Sequence, residues 1–141
     1  MNKERLIKQL QRHEGLVLKP YRCSAGKLSI GYGRNLEDVG ISKAEANMLL
    51  VNDIHKCIEQ VAKLFCFDKL NDVRQNVLIN MCFNLGIYGL KKFKKFLRAC
   101  ELEDFTTASV EMLDSMWSKQ VGIRATELSN QMRIGKFLDP K

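Results

Sequence analysis

The run Val77-Leu78-Ile79-Asn80-Met81-Cys82-Phe83-Asn84-Leu85 constrains the fold of this chain more than any other feature. At helical period it is apolar nearly all the way round, and it stops at Gly86. A helix of that kind has no broad face to offer water, so it must sit centrally among other elements. Glycine at its end suits a helix stop. Asn80 and Asn84 are the exceptions. Each is either a core amide with its partner or a polar group lining a cleft.

The rest of the chain supplies the surrounding helices. Asn2 to about Arg12 reads as a helix with Leu6, Ile7 and Leu10 on one face. Ser42-Lys43-Ala44-Glu45 is a capping box. It opens a helix to about Lys63, with Leu50, Ile54, Cys57 or Ile58, Val61 and Phe65 at spacings of three and four. Asp72-Val73-Arg74-Gln75 opens the central helix, and further helices are expected over Leu90–Arg98, Asp104–Met116 and Gly122 to about Arg133. The period changes only between the first two helices. There Leu16 to Asn35 reads as short strands with a turn near Ser24-Ala25-Gly26. The expected fold class is α+β and mostly helical: an N-terminal helix, a small β-hairpin lobe and a helical body, with a cleft between lobes as the natural ligand site.

At 141 residues and 45% apolar content the chain suits one domain. No apolar run approaches the ~18 residues of a membrane span, so stable membrane insertion is not expected. The first residues, Met1-Asn2-Lys3-Glu4-Arg5, are polar and carry no signal-peptide pattern, so the expected location is the cytoplasm unless something releases the chain. A net charge of +7 favours anionic partners: nucleic acid, acidic membrane surfaces or an anionic cell wall. Lys91-Lys92 and Lys94-Lys95 interleave with Phe93 and Phe96, which suits either phosphate binding or the solvated face of an amphipathic helix. No nucleic-acid-binding motif accompanies them, so a nucleic-acid partner is not expected.

The five cysteines form no C-x-x-C pair, and His13 and His55 complete no metal cluster. Neither a metal nor a cofactor is expected. Cys57, Cys82 and Cys100 lie in apolar helical patterns and read as small core residues. The odd count, without a signal peptide, argues for reduced thiols. Cys23 differs, because it lies in a polar, glycine-bearing hairpin.

That hairpin gathers the candidate chemistry. Glu14 is followed nine residues later by Cys23, and Ser29 comes six after that. Beside an apolar helix and a hairpin, Glu14 would be partly desolvated, which favours its protonated form and suits a proton donor to a glycosidic oxygen. The bland alternative is a surface glutamate, although an acid at a helix C-terminus is not favoured by the macrodipole. Leu28, Ile30 and Tyr32 alternate with Ser29, Gly31 and Gly33, so Ser29 is expected to face away from the small apolar layer, where a ligand can approach.

His13-Glu14-Gly15-Leu16, Lys19-Pro20-Tyr21-Arg22 and Gly26-Lys27-Leu28-Ser29-Ile30-Gly31-Tyr32-Gly33-Arg34-Asn35 together resemble the phage-type lysozyme (endolysin, muramidase) family. That family has an E-x8-D-x5-T arrangement in which Cys sometimes replaces the Asp, and here it falls on Glu14, Cys23 and Ser29. The likeness continues through Asp38-Val39-Gly40-Ile41-Ser42, the Leu78–Gly86 helix, and Trp117-Ser118-Lys119-Gln120 with Arg124-Ala125. It covers nearly the whole chain. It implies a single lysozyme-like domain over 1–141, with 15–41 as the small β lobe and 1–14 and 42–141 as helical body and inter-lobe helix.

The resemblance implies hydrolysis of the β-1,4 bond between N-acetylmuramic acid and N-acetylglucosamine in peptidoglycan. Glu14 would be the general acid, with Cys23 and Ser29 completing the catalytic set. Arg34, Phe83, Asn84 and Arg124 would serve substrate binding, Arg124 by pairing with the acid and Phe83 and Asn84 by facing sugar or water. Phe83 as a core aromatic and Asn84 as a helix-terminal amide remain the plainer readings. A monomer that accumulates in the host cytoplasm and reaches the cell wall through a holin-type partner follows by the same analogy.

Two departures bear on mechanism. Ser29 keeps the hydroxyl of the usual Thr but loses the methyl that restricts its rotamer. Cys23 stands where two-carboxylate glycosidases place a base or nucleophile. A free thiol is only ~3% thiolate at neutral pH, and nearby Arg22 and Lys27 are expected to raise that fraction. Base, nucleophile and water-positioner are all open to it. A lytic transglycosylase, which needs one acid, and a non-catalytic peptidoglycan-binding scaffold are the competing functions.

Overall fold

A computed structural model describes residues 1–138. The chain forms two compact units, Met1–Leu49 and Leu50–Lys141. The architecture is α+β and mostly helical, a lysozyme-like fold with one small antiparallel sheet.

In the first unit, the Asn2 carboxamide accepts the Arg5 N–H at 3.0 Å and so starts α1 (Lys3–Glu14). Gly15, at φ 71°, stops it. The helix runs two residues past the expected end, so Glu14 is its last residue. A three-stranded sheet follows in the order β1 (Val17–Arg22), β2 (Leu28–Gly31), β3 (Arg34–Asn35). Tyr21 lies opposite Ser29 and Arg22 opposite Leu28, while the register slips between Val17 and Tyr21. Pro20 lies in that slip, on an edge strand, where its missing N–H removes no ladder bond.

Ser42 and Glu45 form the expected capping box reciprocally. Ser42 Oγ accepts the Glu45 N–H at 3.1 Å, and Glu45 Oε1 accepts the Ser42 N–H at 2.9 Å. It opens α2 (Lys43–Val61), whose first turns belong to this unit. Glu45 Oε1 also accepts Arg34 Nη1 at 2.8 Å, and Arg34 Nη1 donates to the Gly40 carbonyl at 3.2 Å. The strand end, the connecting loop and the helix start are therefore knotted at one carboxylate.

The second unit is the helical body. It comprises the remainder of α2, α3 (Asp72–Lys91), α4 (Lys94–Glu101), α5 (Phe105–Leu113), α6 (Met116–Val121) and α7 (Ile123–Ile134). Its core holds Val61, Val77, Leu78, Met81, Leu90, Phe96, Met112 and Met132, all essentially inaccessible. α3 is the central helix expected from Val77–Leu85, and its inner side is Val77, Leu78, Met81 and Cys82. Cys57, Cys82 and Cys100 are buried as expected, and so is Cys66. The Lys91, Lys92, Lys94 and Lys95 side chains are exposed around buried Phe96, the amphipathic-helix alternative.

Several boundaries differ from the sequence reading. α2 ends at Val61, so Phe65 leaves the helical register and is 90% exposed rather than on the apolar face. Gly86 breaks the helical backbone at φ 75°, ψ 162°, but a further helical turn carries α3 to Lys91. Leu90 therefore lies in the last turn of α3 rather than at the start of α4. Phe93 departs from helical backbone, at ψ 61°, and sets its ring edge-on to Trp117 and Phe96. The expected Asp104–Met116 helix is split, because Ser115 caps a new helix by accepting the Ser118 N–H at 3.1 Å. No helix among the described residues is long and apolar enough to cross a membrane.

Two expectations follow. Phe96→Ala removes the largest fully buried side chain and should cost about 3–5 kcal/mol by denaturant unfolding. Hydrogen bonds from Arg34 and from Ser42 hold the Glu45 carboxyl down to about 2. A folded value below the unfolded one stabilises fully above the ordinary Glu value of about 4.3 and is lost as pH falls toward the folded value. The thermal-melting difference between the parent and Glu45→Gln should therefore be constant at neutral pH and shrink steadily from about pH 4.5 downward.

Candidate active site

The first unit brings Cys23 and Ser29 together on one hairpin. Tyr21 lies opposite Ser29, and Cys23, two residues beyond Tyr21, shares that face. The turn is tightly closed: Cys23 N–H donates to the Lys27 carbonyl at 2.9 Å, and Gly26 N–H to the Cys23 carbonyl at 2.8 Å. The Ser29 hydroxyl donates to the same Lys27 carbonyl at 3.2 Å.

The thiol environment is polar and made mostly of backbone. The Lys27 N–H, then the Ala25 N–H, hold the Cys23 thiol below its ordinary range, against an opposing effect of desolvation that exceeds the small contribution of Ser29. The cations expected to do this are engaged elsewhere. Arg22 pairs with Glu37 at 2.9 Å and Lys27 with Asp38 at 3.4 Å, so their charge is spent on neighbouring acids. Hydrogen-bond donors replace cations as the source of thiolate character.

Ser29 also departs from expectation. It is 2% exposed, the one buried residue of the first unit among the described residues. It occupies the middle of the central strand, with Tyr21 opposite on one side and Asn35 on the other. A small side chain between two larger cross-strand neighbours is covered by them. Its hydroxyl is aimed into the hairpin rather than presented to a ligand.

Glu14 ends α1, with its side chain exposed. A Cβ placed on Gly33 would meet Glu14 Oε2 at 2.7 Å, and Gly33 sits at φ 76°. The carboxylate therefore lies directly over a residue with no side chain to cover it. This contact explains Gly33 on two grounds, backbone conformation and close approach. The sequence marks the glycine but not what approaches it.

The remaining candidates have other partners. Arg34 is taken up by Glu45 and the Gly40 carbonyl, a structural engagement. In the second unit, Asn84 Oδ1 accepts Trp117 Nε1 at 2.7 Å, and Arg124 Nε donates to Asn80 Oδ1 at 2.9 Å. Both asparagines that interrupt the apolar run are thus accounted for by side-chain partners. Phe83 is not a core aromatic. It is 43% exposed and lines a hollow of about 450 Å³ with Leu50, Ile54, Ile58, Ile79 and Arg124. Among the described residues no three His, Cys, Asp or Glu side chains gather in a metal-binding group. Sequence reading did not find Glu37 and Glu45 as bracing residues. The Ser-x-x-Glu spacing marks Glu45 only as a cap.

A mostly helical α+β chain with an acid at its first helix end, and a thiol and hydroxyl on the hairpin that follows, defines a lysozyme-like protein. The phage lysozyme family profile matches residues 11–133, and the chain belongs to that family. It is 32% identical over 117 residues to an endolysin of Acyrthosiphon pisum secondary endosymbiont phage 1, covering 78% of this chain and 75% of the relative. It is 26% identical over 162 residues to a probable T4-type lysozyme 2 of Dictyostelium discoideum, covering 94% and 95%. It is also 26% identical over 161 residues to the pre-baseplate central spike protein Gp5 of Enterobacteria phage T4, covering 94% of this chain and 28% of the relative. The chain is accordingly a lysozyme-type glycosidase.

Gly33→Ala tests the Glu14 contact. The new methyl must push the flexible Glu14 side chain aside and sit at positive φ, the latter costing roughly 1–2 kcal/mol. The variant should stay folded by circular dichroism while its glycosidase rate falls at least tenfold.

Proposed function

We propose that this chain hydrolyses the β-1,4 bond between N-acetylmuramic acid and N-acetylglucosamine in peptidoglycan. Glu14 is the general acid that protonates the leaving glycosidic oxygen. Cys23 takes the place of the second carboxylate as a base toward the attacking water, and Ser29 orients the sulfur rather than the sugar. The observation that carries this assignment is the hairpin itself, whose register sets Cys23 and Ser29 on one face; backbone donors that lower the thiol support a thiolate where a two-carboxylate glycosidase uses a negative charge. Exposed Phe83 offers an apolar surface to a sugar ring, and Arg124 and Asn84 are assigned to substrate binding with it.

The biological reading follows the same line. The chain acts as a monomer that accumulates in the host cytoplasm, reaches the wall through a membrane lesion made by a holin-type partner, and lyses the cell. A net charge of +7 supports attraction to an anionic envelope. The resemblance to an endolysin supports the release route.

Purified peptidoglycan digested by the parent, Glu14→Gln, Cys23→Ala and Cys23→Asp provides the test. Glu14→Gln should lose roughly 10²–10⁴-fold in rate. Cys23→Asp should retain or raise activity, and Cys23→Ala should fall substantially. Products should carry free reducing ends. Exclusively 1,6-anhydro ends would replace hydrolysis by lytic transglycosylation, and a fully active Cys23→Ala would remove the thiol from the chemistry.

A further inference from the structure

The turn that carries Cys23 is gripped from outside by an acid that the proposed chemistry does not use. In an antiparallel strand the N–H and C=O of one residue point to the same side. The Leu28 carbonyl accepts the Leu36 N–H at 2.8 Å. The Leu28 N–H has no strand partner, because β3 ends at Asn35. Glu37 Oε1 takes it at 2.9 Å. The same oxygen accepts Arg22 Nη1 at 2.9 Å, and Arg22 Nη1 also donates to the Gly26 carbonyl inside the turn at 3.0 Å. One carboxylate oxygen therefore ties the last residue of β1, the turn and the first residue of β2.

The ladder by itself leaves this end weakly specified. β1 is an edge strand whose register slips just before Tyr21, and only Tyr21 and Arg22 pair beyond the slip. Lys27–Asp38 adds a second, longer tie at 3.4 Å. With Arg22 67% and Glu37 39% exposed, the ion pair contributes little to overall stability. Its consequence is local, in where the turn holds its N–H groups.

We propose that Glu37 is a positioning residue for Cys23: through the Leu28 N–H and Arg22 it holds the 23–27 turn, whose Cys23–Lys27 and Gly26–Cys23 backbone bonds fix where the thiol sits. The proposal rests on the reading of Cys23 as a working group in hydrolysis, and its test separates the two. Full-length Glu37→Ala and Glu37→Gln are compared with the parent by iodoacetamide alkylation of Cys23 against pH, followed by peptide mass. The other four cysteines are buried, so the folded protein reports Cys23. The kcat and KM on peptidoglycan are measured alongside. Lys19, Arg22, Lys27, Arg34, Glu37 and Asp38 are the charged groups on the sheet and its flanking loop, and of these Arg22, Lys27 and Arg34 are already paired with acids.

Glu37→Ala should raise the alkylation midpoint by about half a pH unit, roughly a threefold loss of thiolate at fixed pH. The kcat should fall by a similar factor with KM unchanged. Glu37→Gln keeps an oxygen for Leu28 and Arg22 and should recover most of both. Should Glu37→Ala fail to fold by circular dichroism, Arg22→Gln, which spares the Leu28 bond, carries the same test. An unchanged midpoint in the folded variant overturns the proposal. A raised midpoint with unchanged kcat upholds the positioning role and shows that the thiol does not serve hydrolysis.

Discussion

One carboxylate oxygen, Glu45 Oε1, holds the first unit in register with the start of α2. It accepts the Ser42 N–H, which a helix start leaves without an intrahelical partner, and the Arg34 guanidinium from the end of the sheet. No apolar side chain of residues 1–49 is fully buried, and Tyr21, Leu28, Ile30 and Leu36 are half-buried. Directional contacts fix the register of the strands. Glu45 braces the end of β3 and Glu37 the β1–β2 turn, each serving two donors through a single oxygen.

This construction explains the electrostatics of the hairpin. Acids that brace the backbone also consume the nearest cations, so Arg22 and Lys27 do not act on Cys23. What lowers the thiol is chiefly the backbone N–H groups of Lys27 and Ala25 in the turn. A thiol so placed needs no neighbouring positive charge to gain thiolate character. Ser29, buried in the same hairpin, gives its hydroxyl proton to the Lys27 carbonyl of that turn.

The helical body is built on the opposite principle. Its core is a continuous apolar cluster, and its few polar groups near α3 are matched individually: Asn84 with the Trp117 indole, Asn80 with Arg124. Trp117 illustrates how a large aromatic is accommodated there, since its ring packs edge-on against Phe93 while its N–H finds an acceptor.

The sequence by itself determined what local period and capping chemistry control. The central α3 helix, the Ser42–Glu45 box, the strands and turn of 16–35 and the buried Cys57, Cys82 and Cys100 were all legible, because each depends on neighbours within one or two turns. The Glu14–Cys23–Ser29 spacing, with the motifs around it, carried the family. Tertiary structure decided what depends on partners distant in the chain. Alternation placed Ser29 on the open face, but cross-strand cover from Tyr21 and Asn35 buried it. Charge proximity in the sequence assigned Arg22 and Lys27 to Cys23, but Glu37 and Asp38 claimed them across the hairpin. Glu14 was marked as the acid, but only the fold laid its carboxylate over Gly33, where the missing side chain leaves it open. Spacing along a chain selects which residues can meet; competition among all the partners a fold brings within reach selects which of them do.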